Sequence, residues 1–273
     1  MNRKIITTFA TALIAGAAIA GVTSTNKVCR IVLETSTQDN LISIPLVECT
    51  TNDVSGASAV INATNYVMTT GLPTYTALMY KNASGNWMSW YLFEGRWQAI
   101  TVVKGKNISY PVATDSVFQR GTALRVYFPT NDMPTAESKK KIYLCGQYNK
   151  GAVPNPVTIS SGTTSAPVYN LIGVGQPKEY TISALVGNIT GAVDTDSIGV
   201  PSSKGTTEYE RVGGVWKHVT YTEQTVTLGG IELKKKVKGY EDLTSSHKLP
   251  AGAGFWYITR ATATRTINWA QLP

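Results

Sequence analysis

The glycine-rich stretch at residues 249–260, LPAGAGFWYITR, is the part of the sequence closest to a known chemical motif. A glycine-rich turn can cradle a phosphate group when it follows a strand and opens a helix, as in dinucleotide-binding folds. Here Gly252 and Gly254 lead into FWYI at 255–258, four strong strand formers, and no third glycine follows. We therefore predict that these glycines form a turn before a β-strand and bind no nucleotide.

Side chains that could catalyse a reaction are few and scattered. The chain has two histidines, His218 on a predicted strand and His247 in a polar loop, and neither belongs to an HExxH or paired-histidine motif. No Gly-x-Ser-x-Gly nucleophile elbow and no CxxC accompanies them. A glycosidase needs two carboxylates that face one cleft, and no pattern joins the candidates Glu94, Asp115, Asp132 and Glu223. The sequence therefore predicts a protein that is not an enzyme and holds no metal or other cofactor.

Aromatic residues are the more informative group. Trp87, Trp90, Tyr91 and Trp97 fall within eleven residues. On a strand, Trp87 and Tyr91 share one face while Trp90 points to the other. One face can serve the core, where aromatic rings supply much of the buried area, and the other can offer a platform for stacking sugar rings. Trp87, Trp90 and Tyr91 are therefore candidate ligand-stacking residues, whereas Trp97 has a counterpart in Trp216 and is expected in the core.

The elements that position these residues are predicted to be strands. Short segments rich in β-branched and aromatic residues are separated by Gly, Asn, Ser or Pro, among them VCRIVLE, TALMYK, MSWYLF, WQAITVV, LRVYF and KIYLCG. KNASGNW (81–87) and ERVGGVW (210–216) have the composition of hairpin turns. Helical spacing is confined to 56–68 and 182–189. We predict a mostly β fold with one short helix in each half.

The predicted strands fall into two similar halves. Three segments recur in the same order: NLI at 40–42 and 170–172, FEGRWQAI (93–100) as VGGVWKHV (212–219), and QRGTALRVYF (119–128) as PAGAGFWYIT (250–259). The offsets are 130, 119 and 131 residues, so the order is kept while the loops vary in length, which is typical of a diverged tandem repeat. We predict two similar tandem β-rich domains, 21–150 and 168–273, each a β-sandwich or barrel-like sheet with one short helix. Residues 151–167, rich in Pro, Gly, Ser and Thr, are the predicted linker.

The N-terminus predicts export. A basic start, MNRK, precedes an apolar run from Ile5 to Ala20, and Ala18 and Ala20 supply the small residues of a cleavage site before Gly21. This is the plan of a secretory signal peptide. We predict a signal peptide over 1–20 and a mature protein that is secreted or held at the cell surface, without a transmembrane segment.

Removal of Arg3 and Lys4 with the predicted signal peptide lowers the net charge from +8 to +6, and this excess is spread over both halves, whereas nucleic-acid binding usually needs a concentrated basic face. We therefore predict no nucleic-acid partner. The basic runs are KKK at 139–141 and KKK at 234–236 with Lys238. We interpret them as solvated turn or edge-strand lysines that discourage edge-to-edge pairing. The alternative is attraction to an anionic cell-surface polymer.

Three cysteines in an exported chain allow one disulfide and leave one thiol. Cys29 and Cys49 flank a predicted pair of strands around a turn near 37–40, and that hairpin would bring them together. Cys145 competes because its strand can lie beside the first one. Cys29–Cys49 is the preferred pairing, and the other pairings stay open.

Several of these segments are similar to the repeats of a family of uncharacterised secreted bacterial β-repeat proteins. The similarity lies in NLISIP (40–45), Gly-x-Trp at 95–97 and 214–216, and PAGAGFW (250–256). The first half departs at its end, with RGT at 120–122 and Leu124-Arg125, and the second half lacks the proline and serine of NLISIP. The resemblance covers most of the mature chain, implies a fold and a compartment, and carries over no catalytic residue.

These observations predict a secreted or cell-surface structural or interaction protein that acts in assembly or adhesion. Its expected partners are other protein chains, including copies of itself, or a cell-surface glycan. The alternative is a carbohydrate-binding module that uses exposed aromatic residues.

Overall fold

The computed structural model describes residues 26–44, 46, 61–62, 66–81, 86–99, 101–103, 107–109, 117–118, 121, 123–135, 137–149, 156–202, 205–229 and 231–269. The predicted signal peptide, Cys49 and Asp115 lie outside these residues. The described chain is mostly β, built from several antiparallel sheets with one short α-helix, which confirms the predicted fold class.

The first half contains eleven described strands and one 3-10 turn. They are β1 (Asn26–Thr35), β2 (Asp39–Ser43), β3 (Ile61–Asn62), β4 (Ala77–Lys81), β5 (Trp87–Phe93), β6 (Arg96–Ala99), β7 (Thr101–Val103), β8 (Asn107–Ser109), β9 (Val117–Phe118), β10 (Ala123–Tyr127), the 3-10 turn Thr130–Asp132, and β11 (Lys140–Asn149). Of the helix predicted over 56–68, residues 56–60 and 63–65 lie outside the described residues, and 61–62 form β3.

The second half contains eleven described strands and the helix. They are β12 (Val157–Ile159), β13 (Val168–Gly173), β14 (Tyr180–Thr181), α1 (Ile182–Gly187), β15 (Ile189–Thr190), β16 (Ser197–Ser202), β17 (Gly205–Val212), β18 (Val215–Leu228), β19 (Ile231–Asp242), β20 (Lys248–Leu249), β21 (Gly254–Thr259) and β22 (Arg265–Ile267). The helix α1 lies where the sequence predicted it. The Thr181 side chain caps it by accepting a hydrogen bond from the Ala184 amide.

Two antiparallel sheets form the body of the molecule. The first has the strand order β2-β10-β4-β5-β6, and the second has β13-β21-β16-β17-β18-β19. The smaller ladders are β1-β11, β12-β22-β15, β14-β20, β3-β9 and β7-β8. The β1-β11 ladder shares a buried core with the first sheet through Ile31 and Leu144, and the β12-β22-β15 ladder shares one with the second sheet through Ile159 and Ile267. Each half is therefore sandwich-like.

Alternation of apolar and polar residues explains which face of each strand is buried. In β10, Leu124 and Val126 are buried while Arg125 faces outward. In β21, Phe255 and Tyr257 are buried at the equivalent places. Successive side chains on a strand point to opposite faces, so these strands present one side to a core and leave the other side half exposed.

The two sheets match strand for strand over five strands: β2 with β13, β10 with β21, β4 with β16, β5 with β17, and β6 with β18. The pairing register matches as well. Asn40 lies opposite Val126, and their sequence counterparts Asn170 and Tyr257 lie opposite each other. The sequence offsets therefore carry one sheet onto the other without a slip in register.

An unusual backbone turn before β4 also recurs before β16. Tyr75 and Thr195 both have positive φ, 68° and 76°, which is uncommon for residues with a side chain. The Tyr75 amide donates to the Leu92 carbonyl at 2.6 Å, and the Thr195 amide donates to the Arg211 carbonyl at 2.9 Å. The two halves therefore share a strained turn as well as a strand order.

The halves meet through a reciprocal pair of backbone hydrogen bonds. The Ser43 amide donates to the Gly252 carbonyl at 2.7 Å, and the Gly173 amide donates to the Gly121 carbonyl at 3.0 Å. The sequence offsets relate Ser43 to Gly173 and Gly121 to Gly252, so each half gives the other the same contact. Both halves approach each other about an approximate two-fold axis.

The glycines of the 249–260 stretch form the turn before β21 and make this approach possible. Gly252 has φ +78°, which glycine adopts without steric cost. A Cβ on Gly254 would lie 3.2 Å from the Ala123 Cβ of the other half. Because a larger residue would push the halves apart, these glycines serve a turn and a close contact between two β structures.

Candidate functional site

The three predicted stacking residues lie on β5 in three different environments. Trp87 is 42 % exposed, Tyr91 is half-buried and Trp90 is 6 % exposed. The Trp90 ring stacks on Tyr80 with centroids 4.7 Å apart. Trp87 is therefore the one of the three that offers an open ring to a ligand, and the three rings do not form one platform.

The two tryptophans expected in the core differ in depth. Trp97 is buried, and its indole N–H donates to the Val67 carbonyl at 3.0 Å. Trp216, at the equivalent place, is half-buried and lies edge-to-face with Tyr257 at 6.1 Å. Both pack against the core of their own half, Trp97 within it and Trp216 at its margin.

Trp87 belongs to an aromatic group that spans both halves. Its ring meets Trp256 edge-to-face at 6.2 Å, and Tyr169 meets Trp256 in the same way at 6.4 Å. The Lys81 ammonium lies 5.6 Å from the Trp87 ring centroid and donates to the Tyr169 carbonyl at 3.1 Å. We call Lys81, Trp87, Tyr169 and Trp256 the junction cluster.

The junction cluster combines open aromatic surface with a cation. Trp87 and Tyr169 are exposed to solvent, and edge-to-face packing leaves part of each ring face open. The Lys81 ammonium provides hydrogen-bond donors beside the rings. An apolar ring face next to donors suits a sugar ring. Sequence reasoning missed Tyr169 and Trp256 here because only the fold brings the two halves together.

A cavity of about 310 Å³ also lies between the halves. Its lining includes Thr35, Thr37 and Asn40 from the first half and Pro201 and Ser202 from the second. The Thr37 hydroxyl donates to the Asn40 side-chain oxygen at 2.9 Å, and the Asn40 amide donates back to the Thr37 carbonyl at 2.9 Å. Thr37 and Asn40 therefore satisfy each other's polar groups across the cavity wall.

The most prominent surface feature is a long hairpin made by β18 and β19. The β17 strand pairs with β18 from Tyr209 opposite His218 to Val212 opposite Val215. Beyond His218, β18 pairs only with β19 among the described strands, as far as Leu228 opposite Ile231. We call residues 222–237 the finger. It extends about 20 Å at the usual rise per strand residue. In the first half, the corresponding ladder β7-β8 has strands of only three residues.

The finger has one apolar face near its tip. Leu228 lies opposite Ile231, and Val226 lies opposite Leu233, so the four side chains share a face. Leu228 is 68 % exposed and Ile231 is 65 % exposed, the highest values among the large hydrophobic residues of the described chain. None of the four contributes to either core.

Lysines follow directly behind the apolar tip. Lys234 lies 3.5 Å from Glu223, whereas within the described residues Lys235 and Lys236 have no carboxylate at ion-pair distance. At the base, Lys238 forms an ion pair with Glu210. Partial burial lowers the pKa of Lys238, but the hydrogen bond and the charge of Glu210 raise it overall. These lysines lie on β19, the outermost strand of its sheet, as predicted.

The other basic run, 139–141, lies at the start of β11. Lys139 pairs with Glu34 at 3.2 Å, and Lys140 pairs with Asp132 at 2.6 Å. Both pairs involve exposed or half-exposed side chains, and pairs of this kind contribute little. The lysines at 139–141 therefore form a solvated strand end.

The structure brings together the two histidines, which no sequence motif had linked. The rings of His218 and His247 have centroids 4.7 Å apart, and Tyr209 lies 5.6 Å from each. Burial and then the neighbouring His218 charge lower the pKa of His247. The His247 Nδ1 accepts from the Thr244 amide at 2.9 Å, so this ring closes a turn.

The remaining candidates for chemistry stay apart. Glu94 lies in the β5–β6 turn, Asp132 in the 3-10 turn and Glu223 on the finger. Across the described ranges, no group of three or more His, Cys, Asp or Glu side chains is placed to hold a metal ion. The predictions of no enzymatic activity and no cofactor stay predictions.

Cys145 is a free thiol in the structure. The backbone of Cys29 lies opposite Gly146 because β1 pairs with β11, which is the neighbouring arrangement that made Cys145 a competitor. Since Cys49 lies outside the described residues, the Cys29–Cys49 pairing stays a prediction.

A buried ion pair stabilises the second half from within. Arg265 Nε donates to Asp196 Oδ2 at 2.6 Å, and Arg265 Nη2 donates to Asp196 Oδ1 at 2.7 Å. Both side chains are fully buried. The Tyr257 hydroxyl donates to the same carboxylate at 2.9 Å. Burial and the Asp196 charge raise the pKa of Tyr257. This network is closed to solvent and is structural.

Comparison of the chain with protein-family models, curated proteins and solved structures gives no match. In the part of the chain that the structure describes, no helix has the length and apolarity needed to cross a membrane. The finger and the junction cluster are therefore the features of the described chain that point to a function.

Proposed function

We propose that the protein is a secreted or cell-surface interaction protein that acts by contact, in assembly or adhesion, and that the finger is its contact element. The observation that carries this proposal is the finger itself. It projects from the second sheet with apolar side chains exposed at its tip, and among the described strands it is paired only within itself.

Folding alone gives no reason for the finger. An isolated two-stranded hairpin is at best marginally stable in water, and apolar side chains that stay exposed contribute nothing to hydrophobic stabilisation. Contiguous exposed apolar residues on a folded protein usually mark an interaction site. A partner that covers the tip supplies the burial that the molecule itself does not.

The two-half organisation fits this role. Matched strand order and register over five strands support a tandem duplication, with the repeats at 21–150 and 168–273. The β18-β19 hairpin of the second copy is much longer than the β7-β8 ladder of the first. We infer that the duplicated sheets form the scaffold and that the finger was elaborated on one copy for contact.

Shortening the finger tests the proposal. In the natural protein Leu228 and Ile231 flank the turn of the finger. Replacing residues 223–236 by Asn-Gly puts the cross-strand pair Thr222 and Val237 in that place, so the strand register is retained. We expect the shortened protein to unfold at the same temperature and to lose retention on isolated envelope material of the producing cell. Light scattering compares the self-association of the shortened protein with that of the natural protein.

The matched control is Val212→Ser with Val215→Ser. These exposed valines flank the Gly213-Gly214 turn as Leu228 and Ile231 flank theirs. The control should keep full retention. Equal retention by the shortened and the natural protein would contradict the role of the finger.

A second candidate function is carbohydrate binding, and the junction cluster is the observation that favours it. Trp87 and Tyr169 present ring faces beside the Lys81 ammonium, and rings with adjacent donors suit sugar rings. This proposal replaces the predicted platform of Trp87, Trp90 and Tyr91 with residues from both halves.

Alanine replacement separates the two candidates. Trp87→Ala and Tyr169→Ala should abolish migration shifts in gels containing the bound polysaccharide. Met88→Ala removes an equally exposed apolar side chain next to Trp87 and should leave the shift unchanged. If the natural protein shows no shift with any of a panel of polysaccharides, the carbohydrate function fails.

A further inference from the structure

We propose that the tip of the finger inserts into the surface of an anionic lipid bilayer. In this arrangement, Val226, Leu228, Ile231 and Leu233 enter the boundary between headgroups and acyl chains, and the lysines at 234–236 meet lipid phosphates. The inference depends on the proposed contact function and names the partner of the same site.

The apolar tip has the shape that such insertion needs. Its four side chains occupy two successive cross-strand pairs on one face, at the far end of the finger. Leu228 and Ile231 are the most exposed large hydrophobic residues of the described chain. The turn between them carries Gly229 in a positive-φ conformation and adds no bulk or charge at the end.

The lysines lie at the right distance from the tip. Lys234 to Lys236 follow Ile231 by three to five residues, which is about 10–17 Å at about 3.3 Å per strand residue. Interfacial apolar faces bury about 5–10 Å into the boundary between headgroups and acyl chains. A tip inserted to that depth places the ammonium groups among the headgroups, and long lysine side chains can reach toward them.

The charge of the finger fits an anionic surface. Within the described residues, no carboxylate lies at ion-pair distance from Lys235 or Lys236, so both charges are available to a partner. Glu223 lies 3.5 Å from Lys234 and directly opposite Lys236, so it offsets part of the charge of the lysines. Glu232 lies opposite Thr227 on the face away from the apolar side chains, which also carries Lys234 and Lys236, whereas Lys235 lies on the apolar face. Juxtamembrane lysines of this kind are attracted to anionic lipids.

Other occupants fit less well. A second copy in edge-to-edge pairing would place the lysines of two β19 strands side by side, and a stable protein interface needs about 20–30 residues from each partner, whereas the tip offers four apolar side chains. An anionic polymer would engage the lysines but leave the apolar tip in water. A lipid surface uses both features.

Vesicle sedimentation tests the inference. The chain lacking residues 1–20, which retains every described element, is mixed with vesicles of phosphatidylglycerol and phosphatidylcholine or of phosphatidylcholine alone. We expect binding to the anionic vesicles that weakens with salt. Leu228→Ser with Ile231→Ser should lower the binding constant at least tenfold, and Lys235→Gln with Lys236→Gln should lower it several-fold. Val212→Ser with Val215→Ser is the matched control and should bind as the natural protein does.

A Leu228→Trp variant gives a second readout, because tryptophan fluorescence shifts to shorter wavelength when the ring leaves water. We expect this shift with anionic vesicles only. Absence of vesicle binding, equal binding by the Leu228→Ser, Ile231→Ser variant, or equal binding to uncharged vesicles would overturn the inference. If vesicle binding is absent but the shortened finger still loses retention on envelope material, the contact function stands without a lipid partner. If the shortened finger loses nothing, the contact function itself fails.

Discussion

The buried Asp196–Arg265 pair should make the second half sensitive to a change of one atom. In Asp196→Asn, the carboxylate becomes a neutral amide of the same size, while Arg265 stays fully buried with its charge uncompensated. Breaking a buried ion pair by removing one partner costs about 3–5 kcal/mol. Carbonyls of Ala261 and Ala263 still accept from Arg265 Nη1, so the expected cost lies near the lower end of that range.

The assay is guanidinium unfolding followed by circular dichroism, with linear extrapolation to water. Asp196→Asn should lower the free energy of unfolding by about 3 kcal/mol. Arg265→Met together with Asp196→Asn should cost less than the sum of the single changes, because no charge is then left buried without a partner. The control is Thr76→Val, at the equivalent place in the first half, where a buried hydroxyl donates only to the Pro73 carbonyl and the expected cost is about 1 kcal/mol.

Additive single and double changes, or a loss below about 1 kcal/mol for Asp196→Asn, would refute this reasoning, since even an ordinary hydrogen bond is worth that much.

Three further outcomes are expected. Burial raises the pKa of both Tyr66 and Tyr257, so the stability that their neutral forms provide is present below about pH 10 and falls above it. The difference in absorbance at 295 nm between the natural protein and a Tyr66→Phe, Tyr257→Phe variant should appear only as the protein unfolds, and a difference between the two folded proteins would contradict this. Burial and a neighbouring imidazole lower the pKa of His247. The turn that His247 closes with Thr244 is therefore favoured above about pH 6.5 and loosens as the pH falls. An NMR titration of His247 that gives an ordinary or raised pKa would exclude this pH dependence. Gly71 and Gly191 have nearly equal positive φ, but of these two only Gly191 is placed so that a Cβ would collide with a backbone carbonyl. In thermal unfolding, Gly71→Ala should lower the free energy of unfolding by about 1–2 kcal/mol, and Gly191→Ala should lower it clearly more. Equal losses for the two variants would count against the fold at the Gly191 turn.

Much of the scaffold could be predicted because strand periodicity and turn residues are local signals. The turn at Gly252, the helix after Thr181 and the equivalence of Asn40 with Asn170 all follow from short segments of sequence. Burial depends on what packs above a strand. For that reason the alternation of side chains along β5 could place Trp87 and Trp90 on opposite faces of the strand. It could not predict which of the two faces β1 and β11 would cover.

The sites were harder to predict because they depend on contacts between distant segments. Trp87 and Trp256 meet only because the halves approach at Gly254. The exposed apolar tip of the finger was not predicted, for a different reason. Alternating apolar residues around Leu228 and Ile231 have the same pattern as a half-buried strand, and only their exposure among the described residues shows that they face water.

Hydrogen exchange tests most directly the claim that the finger is the contact element. In the free protein, the finger amides should exchange faster than those of the second core, because a two-stranded ribbon has solvent-exposed hydrogen bonds and few buried contacts. On binding to isolated envelope material of the producing cell, residues 222–237 should become protected while the β13-β21-β16 strands stay unchanged. Protection at the junction cluster with no change in the finger, or no protection anywhere in the bound protein, would contradict the account.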